Sequence, residues 1–303
     1  MAVESSPEVG DHAATRRAWQ AAPGRRASVL RGLLRDRIAV AGMLLVGLFT
    51  AAALLAPMLA PHDPNAVDAT VRLASPSLQH PLGTDELGRD MLSRILFGGR
   101  WSLGIAAAAT IAVMAIGIVV GSVAGYYGGA LDTAIMRVVD VLLALPDLVL
   151  YLAIVGALGS GLRNVLIALI GVSWARYARI VRGLVLSLRE REFVRASEAL
   201  GARDRRLMLR HILPNVVPPV VVLASLQTGG LILGLAALGF FGLGVQPPTP
   251  EWGTMINQSR LFLQTAPALM VWPGLAISLT VLGFNLLGDG LRDVLDPRLE
   301  PDR

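Results

Sequence analysis

Arg137, Asp140 and Asp147 are charged side chains inside an otherwise apolar stretch of this chain. The first two lie three residues apart, a spacing at which opposite charges on a helix form a modest salt bridge. Asp147 follows seven residues after Asp140, about 10 Å further along a helix axis. The His, Asp and Glu positions form no catalytic constellation at helical spacing inside such a stretch. The chemistry expected here is therefore electrostatic attraction of a charged group, without bond making.

The residue types that the chain lacks exclude several kinds of site. All 27 basic residues are arginine, so the phosphate-binding loop G-x-x-x-x-G-K-[ST], which needs a lysine, cannot form. Without cysteine there are no disulfides, thiolate nucleophiles or cysteine metal sites. The four histidines, His12, His62, His80 and His211, include no pair at helical ligand spacing. We expect no enzyme activity, metal or cofactor in this chain; any ATP and magnesium would be bound by partner subunits.

Composition and apolar runs predict an all-α integral membrane protein. The 303 residues are 54% hydrophobic and 16% charged, with a mean hydropathy of +0.60. A helix of about 20 residues crosses a bilayer, and six runs are long enough. They are Ile38–Ala60, Ser102–Gly125, Asp132–Leu158, Leu162–Gly183, Val216–Phe241 and Ala266–Leu287. Six crossings put both termini on the same side.

The distribution of arginine predicts which side that is. Seven arginines lie in Met1–Arg37, ten in Arg176–Arg210 and three after Leu287. The segments on the opposite side together hold six. Because cytoplasmic loops carry the excess of basic residues, both termini and the loop 189–215 are predicted to be cytoplasmic.

The charges of the third run are assigned to a pathway rather than to lipid contact. Asp147 is predicted near mid-membrane, where an ionisable side chain is costly and usually faces protein or water. We expect Asp147, Asp140, Arg137 and Gln227 to line or gate a translocation path. Asp147 would attract a cationic group, such as a peptide amine or a metal chelate. The alternative is a structural aspartate, protonated or hydrogen-bonded, beside a turn loosened by proline.

Arg176, Arg179 and Arg182 fall on one helical stripe at the end of the fourth run. We expect them to snorkel to the cytoplasmic headgroups, because long basic side chains place their charge at the interface. A role in an inner gate is the less favoured alternative.

The loop 189–215 is a charged island with helix-compatible patterning. Residues from Glu190 to Leu200 favour a helix, Gly201 supplies a stop, and Asp204 can begin a second short helix. The block ends at Pro214. Two short helices on a cytoplasmic face are typical of a docking element for another protein. A solvated basic loop that only fixes topology is the alternative.

The segment 61–101 is too long for a tight connection. It contains the string H-P-L-G-T-D-E-L-G-R-D, which is dense in turn formers and charges. The residues singled out are His80, Gly83, Thr84, Asp85, Gly88, Arg89 and Asp90. A rigid surface turn is one interpretation, and outer gating or contact with an external binding protein is the other. Met91–Leu103 has apolar residues at helical spacing, typical of an amphipathic approach to the second crossing.

Several of these stretches resemble one family. The cytoplasmic loop is similar to the E-A-A-x-x-x-G-x9-I-x-L-P loop of ABC importer permeases, although arginine, serine and histidine replace its glutamate, second alanine and isoleucine. In that family the loop docks in a groove of the ATP-binding subunit. The resemblance therefore implies coupling to an ATPase. The residues concerned are Arg195, Ala196, Ser197, Glu198, Gly201, Ala202, Asp204 and Pro214.

Three further stretches carry the same resemblance. Residues 80–90 are similar to the H-P-L-G-T-D-x-x-G-R-D signature of peptide- and nickel-type permeases. Residues 237–253 resemble the segment L-S-F-L-G-L-G-x-Q-P-P-x-P-x-W-G, with Gly239 in place of the serine, and residues 285–298 resemble the family's ending. From Ile38 to Pro297 the chain is similar to the second, C-type permease subunit of such importers.

This resemblance implies a type I importer permease of the bacterial inner membrane. A six-helix domain, 38–290, would lie between cytoplasmic tails 1–37 and 291–303. The implied partners are a homologous second permease, two ATP-binding subunits, an extracytoplasmic substrate-binding protein and membrane lipid, with no nucleic acid. Alternating access would be driven by ATP hydrolysis in the partners. Short peptides are the expected cargo, nickel or a metal chelate is the alternative, and an ion-coupled carrier using Asp147 is a remoter one.

Overall fold

The computed structural model describes residues 32–295, which fold mainly as helices, and the all-α class is confirmed. No strand forms among the described residues; an isolated bridge joins Thr84 to Asp90. Short 3-10 turns and a π-helical turn, Met208–Ile212, connect some helices. In chain order the helices are α1 Arg37–Leu54, α2 Ala56–Leu59, α3 Met91–Tyr127, α4 Gly129–Ala144, α5 Asp147–Leu158, α6 Leu162–Arg189, α7 Glu192–Ala199, α8 Asp204–Leu207, α9 Leu213–Phe240, α10 Trp252–Ser259 and α11 Ala268–Leu295.

Five of these helices are long and apolar enough to cross a membrane, and α4 with α5 makes a sixth if the pair is one span. The predicted second crossing is extended at its start. Helix α3 has 37 residues from Met91 onward, so the amphipathic approach continues directly into the crossing. The N-terminal tail up to residue 31 and the end of the C-terminal tail from residue 296 lie outside the described residues.

The third crossing is not the single straight helix that its apolar run suggested. Helices α4 and α5 meet at an angle of 95°. Leu145 is extended, with φ −108° and ψ 148°, and Pro146 precedes the first residue of α5. Proline has no N–H to continue the helix and disfavours helical geometry in the residue before it. The axial distance expected between Asp140 and Asp147 is therefore wrong, because their helices are not collinear.

Helix α3 packs most extensively against α6 through a row of glycines. Gly117, Gly121 and Gly125 recur every four residues, and so lie along one face of α3. A Cβ built on Gly121 would lie 2.4 Å from the carbonyl oxygen of Ala178 in α6. Small residues at this spacing allow the two backbones to approach closely, which is how helices associate where lipid removes the hydrophobic driving force. The glycine row fixes the position of α6, which carries the stripe of Arg176, Arg179 and Arg182.

Helix α11 packs between α1 and α9. Gly42 on α1 faces the backbone of α11, since an added Cβ would come within 2.4 Å of the Leu287 amide nitrogen. On the other side, Gly288 of α11 lies against the side chain of Leu226 in α9. Many large apolar residues of the described helices remain exposed, as expected for surfaces that meet lipid or protein.

Candidate functional site

A cavity of about 380 Å³ lies between α5, α6 and α9. Its polar lining includes Asp147 and Tyr151 from α5, Ser173 and Arg176 from α6, and Gln227 from α9. The rest of the lining is mainly apolar. The two pathway candidates Asp147 and Gln227, which are 80 positions apart in the chain, therefore share one cavity.

Four of the polar side chains that line this cavity are engaged with one another in two pairs. Arg176 donates to Asp147 across 3.2 Å, and the side chains are 47% and 38% exposed. The hydroxyls of Tyr151 and Ser173 are 2.8 Å apart. A half-exposed ion pair contributes little net stability, because water competes for both charges. Asp147 and Arg176 can therefore separate, and each can bind an oppositely charged group of a solute, at a small cost in free energy.

The other two pathway candidates lie in a second depression, of about 340 Å³. Arg137 and Asp140 both line it, but the predicted salt bridge between them is wrong. Asp140 pairs with Arg179 of α6, whereas Arg137 makes no ion pair with any residue in 32–295. Asp140 therefore bonds an arginine of a neighbouring helix, and not Arg137 of its own helix, which the local spacing had favoured.

Three of the arginines of α6, those at positions 176, 179 and 182, each pair with an aspartate of the broken span. Arg176 bonds Asp147, Arg179 bonds Asp140, and Arg182 makes two hydrogen bonds of 2.5 and 2.6 Å to the carboxylate of Asp132. The sequence predicted that these arginines snorkel to the headgroups, and that prediction did not include the aspartate partners. Asp132 and Asp140 both lie on α4, whereas Asp147 begins α5 on the other side of the bend. The result is a ladder of ion pairs, called here the Arg–Asp ladder.

The loop 189–215 contains the two short helices, α7 and α8. Gly201 lies between them with φ +79°, and its N–H bonds the Glu198 carbonyl, while the Ala202 N–H bonds that of Ser197. These bonds satisfy the last carbonyls of α7, and the left-handed residue suits glycine. Most of the candidate coupling residues are exposed or half-buried, and the Arg195 side chain bonds the nearby Glu190. Pro214 is the second residue of α9.

Tyr126, near the end of α3, anchors this loop and was not anticipated from the sequence. Its hydroxyl donates to Asp204 of α8 at 2.9 Å, and its carbonyl accepts from Arg189 at 2.6 Å. The Arg189 guanidinium also lies 5.0 Å from the centre of the tyrosine ring. Buried Val194 and Leu207 add apolar contact beneath the loop. The loop is therefore attached directly to the end of α3.

The external motif is a buried cluster and not a surface turn. Asp85 accepts from Arg89 at 2.7 Å and lies 3.3 Å from Arg94, and all three side chains are less than 5% exposed. Arg94, which the motif does not include, also bonds Gln258 of α10. A Cβ on Gly88 would lie 1.8 Å from the Asp68 carbonyl oxygen. The motif thus ties the segment 61–101 to the start of α3, and Arg94 extends the contact to the end of α10.

Glu251 is a buried charged residue that the sequence did not single out. It precedes α10 and accepts hydrogen bonds from the Gly253 and Thr254 amides and the Ser102 and Thr254 hydroxyls, at 2.9 to 3.1 Å. Burial raises the pKa of this carboxyl, and the four donated hydrogen bonds oppose that rise. The residue caps α10 and joins it to α3.

A bundle of apolar helices with a polar cavity and an exposed loop of two short helices defines a multi-pass transport subunit. Residues 117–301 match the family of binding-protein-dependent transport system inner membrane components, and residues 25–81 match the N-terminal transmembrane domain of oligopeptide transport permease C. The chain belongs to this family and is a permease subunit of an ABC importer. Family membership favours this function over the ion-coupled carrier.

Named relatives cover most of the chain. The nickel transport system permease protein NikC of Escherichia coli (strain K12) is 47% identical over 257 residues, 85% of this chain and 93% of that protein. The dipeptide transport system permease protein DppC of Alkalihalophilus pseudofirmus is 44% identical over 268 residues, 88% of each chain. The glutathione transport system permease protein GsiD of Pectobacterium atrosepticum is 46% identical over 271 residues, 89% of this chain and 90% of that protein.

Proposed function

We propose that this chain forms half of a translocation pathway for short peptides. A homologous second permease would form the other half, an extracytoplasmic binding protein would deliver the cargo, and two ATP-binding subunits would supply the energy. Because the chain has no lysine for a phosphate-binding loop, ATP hydrolysis belongs to those partners. Both termini and the loop 189–215 face the cytoplasm in this arrangement, as the arginine excess favours.

The observation that carries the peptide assignment is the Asp147–Arg176 pair in the cavity wall. A short peptide has an ammonium group and a carboxylate, and this pair offers one partner for each. Arg176 can engage a carboxylate through two parallel hydrogen bonds, while Asp147 attracts the ammonium. Gln227 opposite them can bond peptide amides through either end of its side chain. A cationic metal chelate would use Asp147 but would be repelled by Arg176.

Coupling to ATP hydrolysis would pass through the α7–α8 loop. Its exposed residues supply the docking surface, and the bonds from Tyr126 to Asp204 and from Arg189 to Tyr126 attach it to α3. Since α3 packs along α6, movement of the loop would shift the arginines of the Arg–Asp ladder relative to their aspartates. The cavity would then open to one side or the other as these exposed pairs exchange partners.

The coupling step can be tested at Gly201 with two matched variants. Nothing lies within 4 Å of a Cβ at this position, so substitution acts only through the left-handed backbone. Valine is disfavoured at φ +79°, whereas asparagine tolerates it. In complexes reconstituted with the ATPase subunits, Gly201→Val should lose substrate-stimulated ATP hydrolysis and Gly201→Asn should largely keep it. Equal activity of both variants and the wild type would contradict the proposed coupling.

The cargo can be tested in proteoliposomes that contain the complete importer. We expect ATP-dependent uptake of a labelled dipeptide that unlabelled dipeptides suppress. A nickel–histidine chelate, offered at the same concentration, should neither enter nor compete. Nickel uptake without dipeptide uptake would replace the peptide assignment by the chelate alternative, and would leave the permease function intact.

A further inference from the structure

Two histidines and an aspartate that are far apart in sequence converge on the external segment. The possible ligand atoms of His62, His80 and Asp90 all lie within 4.8 Å of one another. The Nδ1 atoms of His80 and His62 lie 3.0 and 3.8 Å from the same carboxylate oxygen, Oδ1 of Asp90. The two imidazole rings are stacked, with centroids 4.7 Å apart. Helical spacing could not reveal this cluster, because its members come from two loops and a helix cap.

The surrounding structure orients all three side chains. Asp90 caps α3, and its Oδ2 atom accepts from the amide and hydroxyl of Ser93, both at 2.8 Å. This leaves Oδ1 directed at the histidines. The His62 backbone amide donates to the Ser93 hydroxyl at 3.1 Å, which holds the loop after α2 against the same helix start. Asp90 is fully buried and His80 is 14% exposed, whereas His62 is 42% exposed and leaves an entry from solvent.

Asp90 and the nearby Asp85 differ in the positive charges that surround them. Asp85 is paired with the permanently charged Arg89 and Arg94. Asp90 has only the two histidines as ion-pair partners among residues 32–295. The helix N-terminus and Ser93 offset part of the cost of a buried carboxylate. A neutral imidazole adds a hydrogen bond but no positive charge, whereas a dication shared with both imidazoles would supply that charge.

The donor set selects the class of ion. Two imidazole nitrogens and one carboxylate oxygen suit zinc, nickel, cobalt or copper, while magnesium and calcium prefer sets of oxygens. Ligand atoms around a tetrahedral zinc ion lie about 3.3 Å apart, given metal–ligand distances of about 2.0–2.1 Å. The contacts of 3.0 and 3.8 Å bracket that value, and rotation of the stacked imidazole rings would aim both nitrogens at one ion. Three protein ligands would leave one position open toward solvent.

We propose that His62, His80 and Asp90 bind a divalent transition-metal ion of the zinc type. The ion fastens the loop after α2 to the start of α3, on the side of the membrane where the external binding protein would approach. It is a resident ion and not cargo, since the cluster lies in the external segment and shares no residue with the cavity that contains Asp147. The assignment does not depend on which solute the importer carries.

The test uses the full chain in lipid nanodiscs, purified through a tag without histidine and stripped with a chelator. Zn²⁺ binding is measured by competition with a chromophoric chelator, and Co²⁺ binding by its visible absorption. We expect one ion per chain, not displaced by excess Mg²⁺. His62→Ala should bind at least about tenfold more weakly, because loss of even an outer-shell partner costs about 10- to 100-fold. The matched control, His12→Ala with His211→Ala, should bind as the wild type does.

A second variant keeps the test decisive if His62→Ala proves unstable. His62→Cys should retain Co²⁺ and show a sulfur-to-cobalt charge-transfer band, which arises only if residue 62 is a ligand. Asp147→Asn should leave Zn²⁺ binding unchanged, whereas a cargo ion in the pathway would be lost in that variant. Absence of stoichiometric binding by the wild type would overturn the proposal. Equal binding by the wild type and His62→Ala, or no charge-transfer band from a folded His62→Cys chain, would do the same.

Discussion

Charged residues in this protein divide by burial into two groups. Asp85, Arg89 and Arg94 are less than 5% exposed, whereas Asp147 and Arg176 are more than a third exposed. Breaking a buried pair costs about 3–5 kcal/mol because it leaves an uncompensated charge, while an exposed pair contributes about 0–1 kcal/mol. The first group therefore holds the external segment in place. The second group can change partners at a small cost in free energy, as the proposed pathway requires.

Asp147→Asn tests whether the carboxylate of Asp147 contributes to cargo binding rather than to the stability of the fold. The substitution keeps the size of the side chain and an acceptor for Arg176, but removes the negative charge. We expect thermal stability close to that of the wild type and a fall in dipeptide uptake of about tenfold, corresponding to about 1.4 kcal/mol of lost interaction with the peptide ammonium. Uptake is measured in proteoliposomes as initial rate against dipeptide concentration.

A second dipeptide substrate provides the control for Asp147→Asn. An N-acetylated dipeptide lacks the ammonium group, so any uptake of it should be insensitive to the substitution. If Asp147→Asn lowers the uptake of both substrates equally, the carboxylate has a structural role and not a role in cargo binding. If neither changes, Asp147 lies outside the pathway.

Glu251 belongs to the buried group, although no cationic side chain within residues 32–295 pairs with it. Its carboxylate oxygens accept from Ser102, Gly253 and Thr254, and an amide nitrogen in place of one oxygen would face donors. Glu251→Gln should therefore lower the free energy of unfolding by about 1–3 kcal/mol, the cost of leaving a buried polar group unsatisfied. Thermal unfolding in detergent measures it, with the exposed Glu192→Gln as the matched control.

The pH dependence of the Glu251→Gln effect has a definite sign. Because the pKa of Glu251 is raised above 4.5, the stability from this carboxyl is fully present below pH 4.5 and decreases as pH rises through the raised pKa. A glutamine does not titrate there. The deficit of the variant should consequently be larger at about pH 4 than at about pH 8. A deficit that grows with pH would show that the carboxylate is the favoured form.

At the scale of elements, apolar run length and positive charge predicted the spans, but not the break in the third. The apolar character of Asp132–Leu158 continues across Pro146, so hydropathy could not register a 95° bend. The bend changes the direction of the span between Asp140 and Asp147, which pair with Arg179 and Arg176 of α6. Local spacing favoured Arg137 as the partner of Asp140, and only the packing of two helices could show otherwise. The motifs predicted where the coupling loop lies, while its anchor on Tyr126 depends on tertiary contact.

The glycine row of α3 gives a prediction at this scale. Gly121→Ala places a methyl group 2.4 Å from the carbonyl oxygen of Ala178, so α3 and α6 must separate. We expect a loss of stability of about 1–3 kcal/mol, typical of overpacking. The matched control is Gly104→Ala on the same helix, where nothing lies within 4 Å and helix propensity favours alanine by about 1 kcal/mol. The thermal unfolding temperature should fall in Gly121→Ala and rise in Gly104→Ala. A rise in Gly121→Ala would contradict the close packing of α3 against α6.

At the scale of the whole molecule, the arrangement across the membrane determines which partners each surface can meet. The cytoplasmic assignment of loop 189–215 depends on the excess of arginine in Met1–Arg37 and Arg176–Arg210. Since α3 runs from the cluster at Asp90 to Tyr126 beneath the loop, one helix joins the surface proposed for the binding protein to the surface proposed for the ATPases. In the reversed orientation, neither the binding protein nor the ATPases would meet the surface proposed for them.

Because the chain contains no cysteine, single cysteine substitutions test this orientation without background. Ser75 and Arg205 are both exposed and lie on the predicted external and cytoplasmic sides. In intact spheroplasts, a membrane-impermeant maleimide should label Ser75→Cys and spare Arg205→Cys. After permeabilisation it should label both equally, which controls for the reactivity of each thiol. The reverse pattern would invert the topology, and the Arg–Asp ladder would then lie toward the external face, where a contact with the ATPases could not drive it.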